Sequence, residues 1–133
     1  MKFYLASSFD LVERVKKVAE ILRKHGHEIT CEWWVRDYKD MIWMSDDEWY
    51  EHFKVQEISK RNFDAVSKAD VLLLVAGDTP RKFNGANIEL GYALALGKPC
   101  YSIGKLERSA MYVSVRRREF LDEVLGSEKE ESK

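Results

Sequence analysis

The chain is poor in the residues that staple or interrupt a fold: 133 residues hold two cysteines, two prolines and seven glycines. Cys31 and Cys100 stand far apart, each at or near the end of an apolar run and outside any CxxC pair. They read as reduced, buried thiols, which excludes a disulfide scaffold. His25, His27 and His52 make no ligand spacing with them, so no zinc site is expected. No stretch approaches the roughly 20 apolar residues of a membrane span, and the apolar run in MKFYLASSFD is too short for a signal peptide. The expectation is a cytoplasmic protein without membrane contact. Net charge is also lacking: 22 basic against 23 acidic residues leave −1, no electrostatic basis for binding polymeric nucleic acid. The triple arginine Arg116–Arg118 is too short and isolated to argue otherwise, and points to a surface or interface.

What is present is a soluble, globular composition of 45% hydrophobic and 34% charged residues, enough for one core. KFYLAS reads as a strand. From Asp10, Leu11, Val15, Val18 and Leu22 recur at helical spacing until Gly26 supplies a left-handed stop. HEITC is a second strand, and Ser45–Glu48 is a capping box opening a helix expected to reach about Lys68. ADVLLLVAG is a continuous apolar run, the pattern of a central parallel strand covered on both faces. After the turn-rich GDTPRKFNG comes a helix from about Asn87 to Leu96, closed by Gly97 and Pro99. PCYSIG is a fourth strand, MYVSV a candidate edge strand, and Arg117–Leu125 a last helix. With no repeat and no internal linker, residues 1–125 form one domain, and 126–133 are expected as a solvated, disordered tail.

This alternation predicts an α/β fold: a right-handed, doubly wound sheet of about five mainly parallel strands, Rossmann- or flavodoxin-like, with helices on both faces. Ligands of such sheets bind beyond the carboxyl ends of the strands, at the topological switch point. Tyr4, Ser7, Ser8, the loop from Gly77 to Ala86, and Glu89 should meet there.

Glu89 is the single charged residue between Gly85 and Gly97. Placed in the first turn of its helix, it is either a glutamate complementing the helix dipole or a chemical tool whose pKa the helix end lowers. The small flanks Gly85, Ala86, Gly91 and Ala93 leave room for a ligand near the backbone. Tyr4 either packs within its strand or orients Glu89 through its phenol. Ser7 and Ser8, like Asp10, either cap the first helix or help bind an anion such as a 5'-phosphate, with Arg81 and Lys82 on the same edge. Trp33, Trp34, Trp43 and Trp49 all fall within one loop-rich stretch, which suggests packing or a subunit interface, with a lid or a base-stacking wall as alternatives.

FYLASSF, GHEITCEWW, SKADVLLLV and above all GANIELGYALALGKP, in this order, resemble the nucleoside 2-deoxyribosyltransferase family, which includes 2'-deoxynucleoside 5'-phosphate N-hydrolases. The resemblance implies that Glu89 is the nucleophile that attacks the anomeric carbon and that Tyr4 positions it. Ser7, Ser8, Asn62, Gly85 and Asn87 are then the expected substrate contacts. No metal or redox cofactor is implied, and at least a homodimer is. Eight residues before Asp70, where the family usually has an Asp that handles the leaving base, this chain has Asn62, which cannot donate a catalytic proton. Asp64 lies about 200° further round the helix, a poor substitute by geometry. Phe83 occupies a second position that is often polar. Two functions stay open: cleavage of the N-glycosidic bond of a nucleoside or nucleotide, with transfer to a base or to water, and a binding or sensing module that keeps the pocket without turnover.

Overall fold

A computed structural model describes residues 1–35, 44–119 and 121–131. Trp43 therefore lies outside the described residues. Five parallel strands form one sheet in the order β2-β1-β3-β4-β5. They are β1 (Lys2–Ala6), β2 (Glu28–Ile29), β3 (Val71–Val75), β4 (Cys100–Ile103) and β5 (Arg116–Arg118). Every residue of β3 is buried, as its unbroken apolar run requires of a strand covered on both faces. The helices are α1 (Val12–Lys24), α2 (Asp46–Glu51), α3 (Phe53–Lys68), α4 (Gly85–Ala95) and α5 (Leu121–Glu131). Right-handed crossovers set α1 against one face of the sheet and α3 with α4 against the other. Among the described residues no helix is long and apolar enough to cross a membrane.

The helical stripe of α1 is buried at Val15, Val18, Ala19 and Leu22, and Gly26 ends the turn with φ +83°. Asp70 ties the start of the sheet together. Its carboxylate accepts the Lys2 N–H at 2.7 Å, and its own N–H donates to the Lys2 carbonyl at 2.7 Å. On the other face, α3 and α4 touch through Phe63 and Tyr92, whose rings meet edge to face at 5.4 Å. Lys98, just past α4, closes the end of α3 by donating to the carbonyls of Ser67, at 2.6 Å, and of Ala69.

Several predicted boundaries move. The helix opened by Ser45, whose hydroxyl accepts the Glu48 N–H at 3.2 Å, does not run on to Lys68. His52 splits it: its extended backbone ends α2, and its Nδ1 accepts the Lys54 N–H at 3.1 Å to cap α3. Neither Ser8 nor Asp10 caps α1; a 3-10 turn over Phe9–Leu11 precedes it, and Ser8 makes no side-chain cap bond. MYVSV is not the edge strand but a 3-10 segment, Ala110–Ser114, in which Met111 and Val113 are exposed and Tyr112 is buried. That alternation imitates a strand. The true edge, β5, is the triple arginine, where the guanidinium groups of Arg116 and Arg118 lie 5.4 and 5.6 Å from the centre of the buried Tyr101 ring. A charged edge strand discourages further strand pairing. Finally, α5 begins at Leu121 and continues to Glu131, so the segment expected as a tail from residue 126 is helical over most of its length.

Candidate active site

The chain leaves β1 towards β2 on one side and reaches β3 on the other, so a crevice opens between the carboxyl ends of β1 and β3. A cavity of about 850 Å³ occupies that end of the sheet, a volume suited to a small organic ligand. Tyr4, Ser7, Ser8 and Phe9 line it from β1 and the turn after it, and Lys82, Asn84, Gly85, Ala86, Ile88 and Glu89 from the loop after β3 and from α4. A stripe of α3, Val55, Ile58, Ser59, Asn62 and Phe63, forms the facing wall. Of the residues expected at the substrate, Tyr4, Glu89, Ser7, Ser8, Asn62 and Gly85 are brought together.

Asn87 is not among the lining residues. Its side chain donates to the Phe83 carbonyl and accepts the Tyr112 hydroxyl at 2.8 Å, which fixes the 3-10 segment against α4. Asp64 stays out of the cavity, paired with Lys68 at 2.8 Å with its side chain 60% exposed. That agrees with the angle expected from its position in the helix.

Tyr4 donates a hydrogen bond to Glu89 Oε2. The other carboxylate oxygen has no donor among the described residues, and Glu89 is the one carboxyl group among the described lining residues. The helix begins at Gly85, two residues earlier than predicted, so Glu89 stands in the second turn and the first turn holds no acid. The expected lowering of its pKa by the helix end is therefore overturned. Burial dominates and pushes the carboxyl up to about 7, against the opposing effect of the Tyr4 hydrogen bond. The Tyr4 phenol is raised well above its ordinary value, by burial first and by Glu89 next, so it stays protonated and remains a donor.

Ser7, Ser8 and Arg81 are already engaged. Ser7 Oγ donates to the Val75 carbonyl at 2.7 Å, Ser8 Oγ to Asp10 at 2.5 Å, and Arg81 pairs with the same aspartate. Lys82 is the cation left among the described lining residues. Trp33 is packed, 6% exposed, its indole N–H donating to the Leu5 carbonyl at 2.7 Å, while Trp49 lines the cavity and Trp34 meets Trp33 edge to face at 5.5 Å. Both thiols are buried and neither is in a disulfide, and burial pushes Cys100 up to about 11. Four cavity residues on α3 that the sequence reading passed over, Val55, Ile58, Ser59 and Phe63, carried a signal. With Asn62 they recur at i, i+3, i+4, i+7 and i+8, a single helix face.

Known proteins share this architecture. A 2-deoxyribosyltransferase from the psychrotolerant bacterium Bacillus psychrosaccharolyticus superposes with a TM-score of 0.65 at 20% identity, covering 93% of this chain and 90% of that one. The CMP N-glycosidase of Clostridium botulinum does so with a TM-score of 0.58 at 19% identity, covering 97% of this chain and 99% of that one. At these identities the likeness establishes the fold. No curated protein matches the chain by sequence. The family model for nucleoside 2-deoxyribosyltransferase, however, matches residues 3–128, from the first strand into α5. The chain belongs to the nucleoside 2-deoxyribosyltransferase family.

Proposed function

We propose that the protein cleaves the N-glycosidic bond of a nucleoside or nucleoside 5'-monophosphate, with Glu89 as nucleophile. The observation that carries this reading is the Tyr4–Glu89 hydrogen bond inside a cavity at the switch point of the sheet. A buried carboxylate held at one oxygen keeps the other in a fixed direction, which is what attack on a sugar carbon requires. Glu89 forms a bond to the anomeric carbon as the carbon–nitrogen bond breaks, and the electron pair leaves with the base. The transition state has oxocarbenium character, and the carboxylate stabilises its positive charge. Water or a second base then attacks the same carbon and releases the carboxylate. Water makes the reaction a hydrolysis, a base makes it a transfer.

Both a similar 2-deoxyribosyltransferase and a similar CMP N-glycosidase are consistent with this class of substrate. Lys82 supplies positive charge for a 5'-phosphate, whereas Arg81 is held by Asp10. Assembly into at least a homodimer and a cytoplasmic location belong to the same proposal. Incubating the protein with deoxynucleosides, ribonucleosides and their 5'-monophosphates, with and without an acceptor base, tests it. Base release that Glu89→Gln abolishes, together with a glycosyl adduct on the wild-type protein by mass spectrometry, is the expected result. Absence of Glu89-dependent base release from the whole panel refutes it, and ligand-induced thermal stabilisation without product then marks a binding module.

A further inference from the structure

Arg61, next to Asn62 in α3, is not among the residues that line the cavity. Its guanidinium donates to Asn62 Oδ1 twice, from Nε at 3.3 Å and from Nη2 at 3.0 Å. The Cys31 thiol lies 3.6 Å from the same oxygen as a third, weaker donor. A side-chain amide has one acceptor oxygen and one NH2 group with two donors. Turning the amide over would aim its N–H groups at a guanidinium that can only donate, and both charge-assisted bonds would be lost. The orientation is therefore set: Oδ1 faces Arg61, and the NH2 group, which has no acceptor among the described residues, faces away from it, on a residue that lines the cavity with Glu89 and Tyr4.

We propose that Arg61 is a positioning residue for departure of the base, locking the Asn62 amide so that the cavity offers the leaving group hydrogen-bond donors and no carboxylic acid. This deepens the glycosidic-bond reading and rests on it. As the carbon–nitrogen bond breaks, its electron pair spreads from the ring nitrogen onto neighbouring acceptors of the base, a ring carbonyl oxygen or an unprotonated ring nitrogen. N–H donors aimed at such an acceptor stabilise that charge without transferring a proton. The base then leaves as a hydrogen-bonded anion and takes its proton from solvent. The leaving groups that suit this site are bases with an acceptor beside the glycosidic nitrogen, and 2-oxopyrimidines are among them.

Rates of base release from paired substrates, a pyrimidine nucleoside or nucleotide and its 5-fluoro counterpart, test the proposal in the full-length protein. Fluorine lowers the basicity of the departing nitrogen, so the fluorinated base needs less help. Asn62→Leu keeps a similar size but removes both N–H donors from the cavity. Arg61→Met frees the amide to turn, and Arg61→Lys restores one donor to Oδ1. The expected result for Asn62→Leu is a loss of at least about tenfold in kcat on the parent substrate and a clearly smaller loss on the fluorinated one. Arg61→Met shows the same inequality, and Arg61→Lys recovers part of it, with thermal midpoints close to wild type. Equal losses on both substrates, or full activity in Asn62→Leu, overturn the role of the amide. Wild-type turnover that Glu89→Gln abolishes, with Arg61→Met unaffected, overturns the role of Arg61 and leaves the glycosidic reading intact. Absence of any Glu89-dependent release refutes both.

Discussion

The phenol of Tyr4, in the middle of β1, hydrogen-bonds to Glu89 in α4 across 85 positions of sequence. The bond joins the central sheet to a helix packed on its face, and it opposes the burial that makes the carboxyl hard to ionise. Proton affinity and orientation at this site thus depend on one contact.

The first prediction concerns pH. A nucleophilic Glu89 must be ionised, so kcat/KM rises with pH and reaches half its plateau near 7. Tyr4→Phe removes the bond that lowers the pKa, and the rising limb moves to higher pH. At neutral pH the activity falls roughly 10- to 100-fold, the range for loss of a hydrogen bond to a charged group. A limb that stays in place in the variant would contradict this coupling.

The second concerns stability. Folding raises the Glu89 pKa from 4.5 to about 7, so the folded state favours the protonated form. That contribution is complete below pH 4.5 and is lost as pH rises through 7. Glu89→Gln, which never ionises, is expected to be more stable than wild type at pH 8 by about 2 to 3 kcal/mol, and the advantage vanishes at pH 4. Chemical denaturation at both pH values measures the difference.

The third concerns Asp70, which accepts the Lys2 N–H while its own N–H returns a bond to the Lys2 carbonyl. Asp70→Ala removes one charge-assisted bond at the entry to β1 and costs about 1 to 2 kcal/mol. In urea the unfolding midpoint falls with an unchanged m-value, because the surface exposed on unfolding is the same.

The fourth concerns Gly104, at the end of β4. It adopts φ +96°, and a Cβ there would stand 2.7 Å from the Ala76 carbonyl oxygen. Gly104→Ala meets both a left-handed backbone and a backbone clash. A loss of about 2 kcal/mol or more is expected, read as a lowered thermal midpoint.

Much of this arrangement is legible in the sequence. The unbroken apolar run ending at Val75 announced a central strand, and the family motif singled out Glu89 and Tyr4, which the fold brings into contact. The ionisation of Glu89 was not legible, because it depends on two facts outside local sequence. The helix starts at Gly85 rather than near Asn87, and packing buries the carboxyl. Asn87 stands outside the cavity lining for a similar reason: its side chain is held by Tyr112, 25 positions on. The triple arginine carried no strand propensity, and its extended state comes from pairing with β4 beside the Tyr101 ring. Arg61 was invisible because its role lies in the direction of one amide.

Lys98 gives the cavity a mechanical property. By holding the Ser67 and Ala69 carbonyls from the turn after α4, it fastens the last turn of α3 to the chain leaving α4. The two walls that carry Asn62 and Glu89 are thereby joined into one cooperative unit, and their amide protons should exchange with solvent in a single opening event. α2, beyond the break at His52, is left out of that unit and exchanges sooner. The gap across which a sugar and its base would lie is thus kept by a lysine at the unreactive end of both helices.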